Sequence, residues 1–149
     1  MTSKNIYRTH NCEELRINNV GERVVLSGWA NSLRKLGGIT FITLRDHYGI
    51  TQILVRDDSL LKDVCKETVI KVEGTVIERE SKNPKMPTGD IEVLANSIEI
   101  LGKCNSILPF EISEAYNTKE ELRLKYRYLD LRNPDLHSKI VLRSNILNF

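Results

Sequence analysis

The sequence is short of most things that would give it an unusual physical character. Of 149 residues only eight are glycine and four proline, and aromatic residues make up 6%. These shortages exclude collagen-like and low-complexity chains, and a hydrophobic content of 40% is enough for a packed core. No apolar run approaches the roughly 18 residues a membrane helix requires. The start, MTSKNIYRTHN, lacks the apolar stretch of a secretory signal, so a cytoplasmic protein is the expectation. Cysteine occurs only at positions 12, 65 and 104, an odd number without a CxxC pair. That spacing argues against a zinc site or a disulfide framework and for three separate, mostly buried thiols. An excess of either charge is missing as well, with 22 Lys and Arg against 20 Asp and Glu. Residues 1–104 hold 15 basic and 14 acidic side chains, and residues 105–149 hold 7 and 6. Neither part is a basic arm, so any nucleic acid would have to be read by a few placed side chains. The length fits one domain with a piece of a second.

What is present is a run of alternating segments. Residues 23–33, 38–46, 50–56, 69–79 and 91–101 alternate with the period of strands. Turn signals separate them at Gly37-Gly38, at His47-Tyr48-Gly49 and over the loop 84–89. The first two links are short enough for hairpins. In the third, Asp57-Asp58-Ser59 can cap a helix, and Leu60, Leu61, Val64 and Cys65 follow at helical spacing. Five strands with a helix between the third and fourth is the layout of an all-β OB-fold barrel. A short helix over 11–17 is expected before it, with Asn11 as the cap and Glu14 three residues on. The pattern changes after residue 104. Residues 106–113 contain Pro109 and read as a linker. Asn117-Thr118 then opens a helix whose face carries Leu122, Tyr126 and Leu129. Asn133-Pro134 breaks it, and a second helix starts near Asp135. That helix reaches Phe149 without a stop signal, which leads us to expect a chain continuing beyond this point. The expected division is therefore a barrel domain over 1–104 and a helical linker with the start of another domain over 105–149.

Strand parity sorts the faces. Ile70, Val72, Gly74 and Val76 share a core face with Ile91, Val93 and Ala95, with Ile42 and Leu44, and with Ile53 and Val55. Four side chains fall outside the barrel: Phe41, Gln52, Arg79 and Glu92. An OB-fold binds single-stranded nucleic acid on this kind of face. An outward Phe can stack an unpaired base. Gln offers a donor and an acceptor, suiting uracil; Glu only accepts, suiting the N1–H and N2 amine of guanine; Arg only donates, suiting N3 and O2 of cytosine. Singly, each of the four also fits an ordinary packed or solvated sheet position, so parity makes a binding module one reading among others.

Longer segments carry a more specific signal. The opening YRTHNCEELRINNV (7–20), Leu26-Ser27-Gly28-Trp29, Leu44-Arg45-Asp46, Gly74-Thr75-Val76, Ile91-Glu92-Val93-Leu94 and, above all, RLKYRYLDLR (123–132) stand in one order. The whole stretch from Tyr7 to Phe149 resembles the start of bacterial-type aspartyl-tRNA synthetases, class IIb. The resemblance implies an N-terminal barrel that grips the anticodon loop of tRNA for aspartate, GUC. It implies that Phe41 stacks on the middle base and Gln52 bonds it, that Arg79 reads the third base and Glu92 the first, and that Arg34 and Asn83 also touch the loop. It further implies a full-length homodimeric ligase using ATP and Mg2+, whose catalytic motifs two and three this chain lacks. No catalytic residue, metal ligand or cofactor is therefore expected within these 149 residues. The sequence departs from the family at Asn31-Ser32-Leu33-Arg34-Lys35-Leu36, where a run of arginines and an Asp are usual, and at Cys12-Glu13, where Cys-Gly is usual. The rivals are the barrel of a lysyl- or asparaginyl-tRNA synthetase, against which Arg79 argues, and a nonspecific single-strand-binding or protein-binding OB module.

Overall fold

The structure, a computed structural model, describes residues 5–104 and 107–149, which fall into two compact units, one ending at residue 106 and one beginning at Ile107. In the first, strands β1 (Arg23–Leu36), β2 (Ile39–Arg45), β3 (Ile50–Val55), β4 (Val69–Glu78) and β5 (Ile91–Gly102) close into a barrel in the order β1-β2-β3-β5-β4. All pairings are antiparallel except a short parallel one, in which Ile53 lies beside Val93 and Leu54 beside Leu94. The core is built from alternate residues, as the parity of the sequence predicts: Val24, Leu26, Ile42, Leu44, Ile53, Val55, Ile70, Val72, Val76, Ile91 and Val93 are buried together. Cys12 and Leu15 from the segment preceding β1 complete it.

Local chemistry explains the corners. Gly37 and Gly38 both take positive φ, 57° and 85°, which a two-residue hairpin between twisted strands demands and which glycine adopts without a steric penalty. At the next corner Asp46 Oδ1 accepts from the amides of Tyr48 and Gly49, at 2.8 and 2.9 Å. Its Oδ2 accepts from the Cys12 amide at 2.9 Å, tying the N-terminal segment to the barrel. Burial, helped by the neighbouring Asp46 carboxylate, pushes the Cys12 thiol up, so it stays protonated and unreactive. Below Trp29, Arg45 makes a forked ion pair with Glu67, both bonds 2.9 Å, with the pair almost fully buried.

Several expectations change. The helix between β3 and β4 is only a 3-10 turn, Asp58–Leu61. Asp57 does cap it by accepting from the Ser59 amide, but Asp63 and Glu67 take φ of 65°, a left-handed conformation that cannot continue a helix. The helix over 11–17 is absent too. The Glu14 carboxylate accepts from both the backbone amide and the side-chain Nδ2 of Asn11, yet these bonds close a single turn, because Cys12 and Leu15 enter the core instead of spacing along a helical face. The three thiols form no disulfide, as expected, but only Cys12 is buried; Cys65 and Cys104 are half-buried, and Cys65 Sγ donates to the Cys104 backbone carbonyl oxygen at 3.3 Å.

Ser106, the first residue of the expected linker, lies outside the described residues, and the second unit begins at Ile107. The described remainder is folded, with Phe110 and Ile112 buried and a 3-10 helix at Ile112–Asn117. The single helix expected from Asn117 is two, α1 (Glu120–Lys125) and α2 (Arg127–Asp130), parted where Tyr126 takes φ −110° and ψ 48°. Leu122, Tyr126 and Leu129 still pack on Phe110, Ile112 and Ala115. The RLKYRYLDLR segment gains a physical explanation here. Arg123 Nε and Arg127 Nη1 converge on the fully buried Asp130 at 2.9 and 2.5 Å. Asn133 then donates to the Ile112 carbonyl at 2.8 Å and caps α3 (Pro134–Leu147), with Pro134 in the first turn, where its missing N–H is not needed. Among the described residues no helix is long and apolar enough to cross a membrane.

Candidate nucleic-acid interface

Five of the six residues singled out in the sequence line one groove of about 400 Å³ on the outer face of the barrel: Arg34, Phe41, Gln52, Arg79 and Glu92. Each arrives by a traceable route. In β1, Ala30 pairs with Leu44 but Ser32 pairs with Thr43, so Asn31 is an extra residue. Without this bulge Arg34 would share the inward face of Val24, Leu26 and Ala30; with it, the parity flips, Leu33 turns to the core and Arg34 turns out. Arg34 then sits opposite Phe41, its guanidinium carbon 5.7 Å from the ring centroid. Phe41 stands between the inward Thr40 and Ile42, half-buried and outside the core cluster.

The parallel pairing of β3 and β5 brings Gln52 level with Glu92, 40 residues away. Gln52 Nε2 donates to Glu92 Oε2 at 2.8 Å. Parity correctly places both outside the barrel, but they are not solvated there: Gln52 is 9% exposed and Glu92 6%. Arg79 follows the last residue of β4, and its backbone amide donates to Asp90 at 2.9 Å. Its side chain reaches the groove with Nη1 buried and without a hydrogen-bond partner. A buried guanidinium nitrogen left unpaired costs free energy that an incoming acceptor would recover.

Asn83 is not brought into this group. Its side-chain oxygen accepts from the Lys85 amide at 3.1 Å and its backbone bonds Gly89, so it organises the β4–β5 loop. Sequence reasoning passed over Leu36, Arg56 and Ser81, which also line the groove. Arg56 was within reach of parity, because it is two positions beyond Leu54 and four beyond Gln52 on the same face. Lys35 is ion-paired with Asp58 and lies off the groove. The lining carries three arginines against Glu80 and Glu92, together with one aromatic ring, hydrophobic side chains and a donor–acceptor amide. Such a set suits a ligand with flat rings, varied hydrogen-bonding edges and negative charge.

A family model for an OB-fold nucleic acid binding domain, that of tRNA anticodon binding, matches residues 24–101. The chain belongs to this family. The matched residues span the barrel from Val24 to Leu101, including every strand that contributes to the groove. Over 148 residues the chain is 49% identical to an aspartate–tRNA(Asp/Asn) ligase of Rickettsia prowazekii, and over 141 residues it is 46% identical to an aspartate–tRNA ligase of Mesoplasma florum. These alignments cover 95% and 93% of the chain but only 24% of each relative, so the chain spans about a quarter of their length. An aspartyl tRNA synthetase from Entamoeba histolytica shares the fold, with a TM-score of 0.77 over 89% of the chain and 34% of that protein, at 20% identity.

Proposed function

We propose that this OB-fold domain reads the anticodon loop of tRNA for aspartate, as the N-terminal part of a cytoplasmic, homodimeric aspartate–tRNA ligase. The observation that carries the reading is the buried, unpartnered Arg79 Nη1, aimed into a groove that also presents Phe41 and the Gln52–Glu92 pair. In this reading Phe41 stacks the middle base, Gln52 bonds it as uracil, Glu92 accepts from guanine at the first position and Arg79 donates to cytosine at the third. Arg34 and Arg56 hold the backbone of the loop, and Asn83 acts by shaping the loop after β4. Residues 1–104 form the anticodon-binding domain, and residues 105–149 lead into the catalytic domain of the longer protein. ATP and magnesium belong in this proposal to the longer protein.

The test is binding of labelled anticodon stem-loops GUC, GUU and UUU to the chain and to Arg79→Gln. GUC should bind best, and the variant should lose affinity for GUC and narrow its preference over GUU. Gln both donates and accepts and so suits uracil as well as cytosine, whereas Arg only donates. A correct bidentate contact discriminates by about 1–3 kcal/mol, on the scale of tenfold in affinity. Equal weakening of GUC and GUU, with a salt slope lower by roughly one, would assign Arg79 to the backbone and refute the third-base role. The GUC to GUU ratio also bears on a finer point, because one relative is named for both tRNA(Asp/Asn) and another for aspartate alone.

A further inference from the structure

We infer that Glu92 is a positioning residue for Gln52, so that the first and middle anticodon bases are read as a coupled pair; this rests on the anticodon reading above. The hydrogen bond from Gln52 Nε2 to Glu92 Oε2 is 2.8 Å long and both side chains are more than nine-tenths buried. A carboxylate only accepts, so only the nitrogen side of the Gln52 amide can face it. That fixes the orientation of the amide: Oε1 and the second Nε2–H are left for the groove, in one arrangement. Uracil presents an imino N–H beside a carbonyl and matches that arrangement. Cytosine presents a bare ring nitrogen beside an amine, the reverse pattern, and would need the amide turned over by half a rotation about its last side-chain bond. Turning it over would set Oε1 against Glu92, two acceptors in a buried site, which is a strongly unfavourable contact. The preference for uracil at the middle position is therefore enforced by the residue assigned to the first.

The pairing also has a structural cause that ties it to this fold. Gln52 and Glu92 sit on β3 and β5, which pair in parallel, and the register Ile53 beside Val93 sets them level. Neither strand alone would hold the amide.

The experiment compares stem-loops GUC and GCC, which share the first base, with the wild type, Glu92→Gln, Glu92→Ala and Glu92→Asp. The wild type should prefer GUC by about tenfold or more. Glu92→Gln accepts or donates and tolerates both amide orientations, so the preference should fall to about twofold or less, whatever happens to absolute affinity. Glu92→Ala removes the acceptor without adding an amide and should narrow the ratio too, so the inference does not hang on one variant. Glu92→Asp keeps an acceptor-only group and should retain most of the preference. Losses from the first-base contact or from reduced stability weaken both stem-loops alike and cancel in the ratio. An unchanged ratio in Glu92→Gln and Glu92→Ala overturns the coupling and leaves the anticodon reading standing. A wild type that does not prefer GUC to GUU, UUU and GCC overturns the anticodon reading itself.

Discussion

Phe41 and Ile42 are neighbours on one strand with opposite duties, and substitution separates them. Ile42 is fully buried in the barrel core, whereas Phe41 is half-buried under Arg34 on the outer face. Phe41→Ala should weaken GUC stem-loop binding by roughly 1–3 kcal/mol, the value of a lost base–aromatic stack, while shifting thermal unfolding little. Ile42→Ala should do the reverse, costing about 2–5 kcal/mol of stability through the cavity it leaves. Melting and binding measured on the same preparations distinguish the two; a Phe41→Ala protein that is destabilised yet binds normally per folded molecule would place Phe41 among packing residues. Parity in the sequence was sufficient to put Phe41, Gln52, Arg79 and Glu92 outside the barrel. It could not show that Gln52 and Glu92 are buried and bonded, because that depends on a register between strands 40 residues apart. Nor could it show the bulge at Asn31, without which Arg34 would point into the core.

At the scale of elements, the strands and the helices after residue 117 were legible, whereas the two helices expected in the barrel unit did not form. Strands announce themselves by alternation and by paired glycines, and both signals survive in the barrel. The residues of the two expected helices before β1 and before β4 have helical spacing and caps, but tertiary demands override them: Cys12 and Leu15 plug the core, and left-handed Asp63 and Glu67 turn the chain toward β4. Gly74 shows how closely the strands approach. A Cβ there would lie 2.3 Å from the Leu94 carbonyl oxygen and 2.7 Å from Val93 Cγ1, beside the bulge where Glu73 pairs with Ser97 and Gly74 with Ala95. Gly74→Ala should therefore destabilise the barrel by about 1–3 kcal/mol, as overpacking does. At Gly102 the nearest atoms to an added Cβ are at 3.5 Å, an ordinary contact, so Gly102→Ala serves as the control with little change. Denaturant unfolding of both variants checks the pair, and equal stability would mean that β4 and β5 separate more easily than their packing suggests.

For the whole molecule, the groove and the second unit have separate origins. Every residue lining the groove falls between Arg34 and Glu92, and the core beneath it draws on residues from Cys12 to Ile100. The second unit has its own small core around Phe110, Ile112, Ala115 and Leu129, with Asp130 clamped by two arginines. Free-energy contributions from sites without shared partners add. A chain ending at residue 104 should accordingly bind the GUC stem-loop within about twofold of the 149-residue chain, a difference under half a kcal/mol. On the proposed division, in which the ATP-binding part lies in the longer protein, neither chain should catalyse aspartate-dependent ATP–pyrophosphate exchange. Titration of both chains against the same labelled RNA, with exchange assayed in preparations free of host enzyme, measures the two claims together. A tenfold loss on shortening would mean that residues 107–149 touch the RNA directly, and the division of labour would have to be redrawn with α1 to α3 as part of the interface.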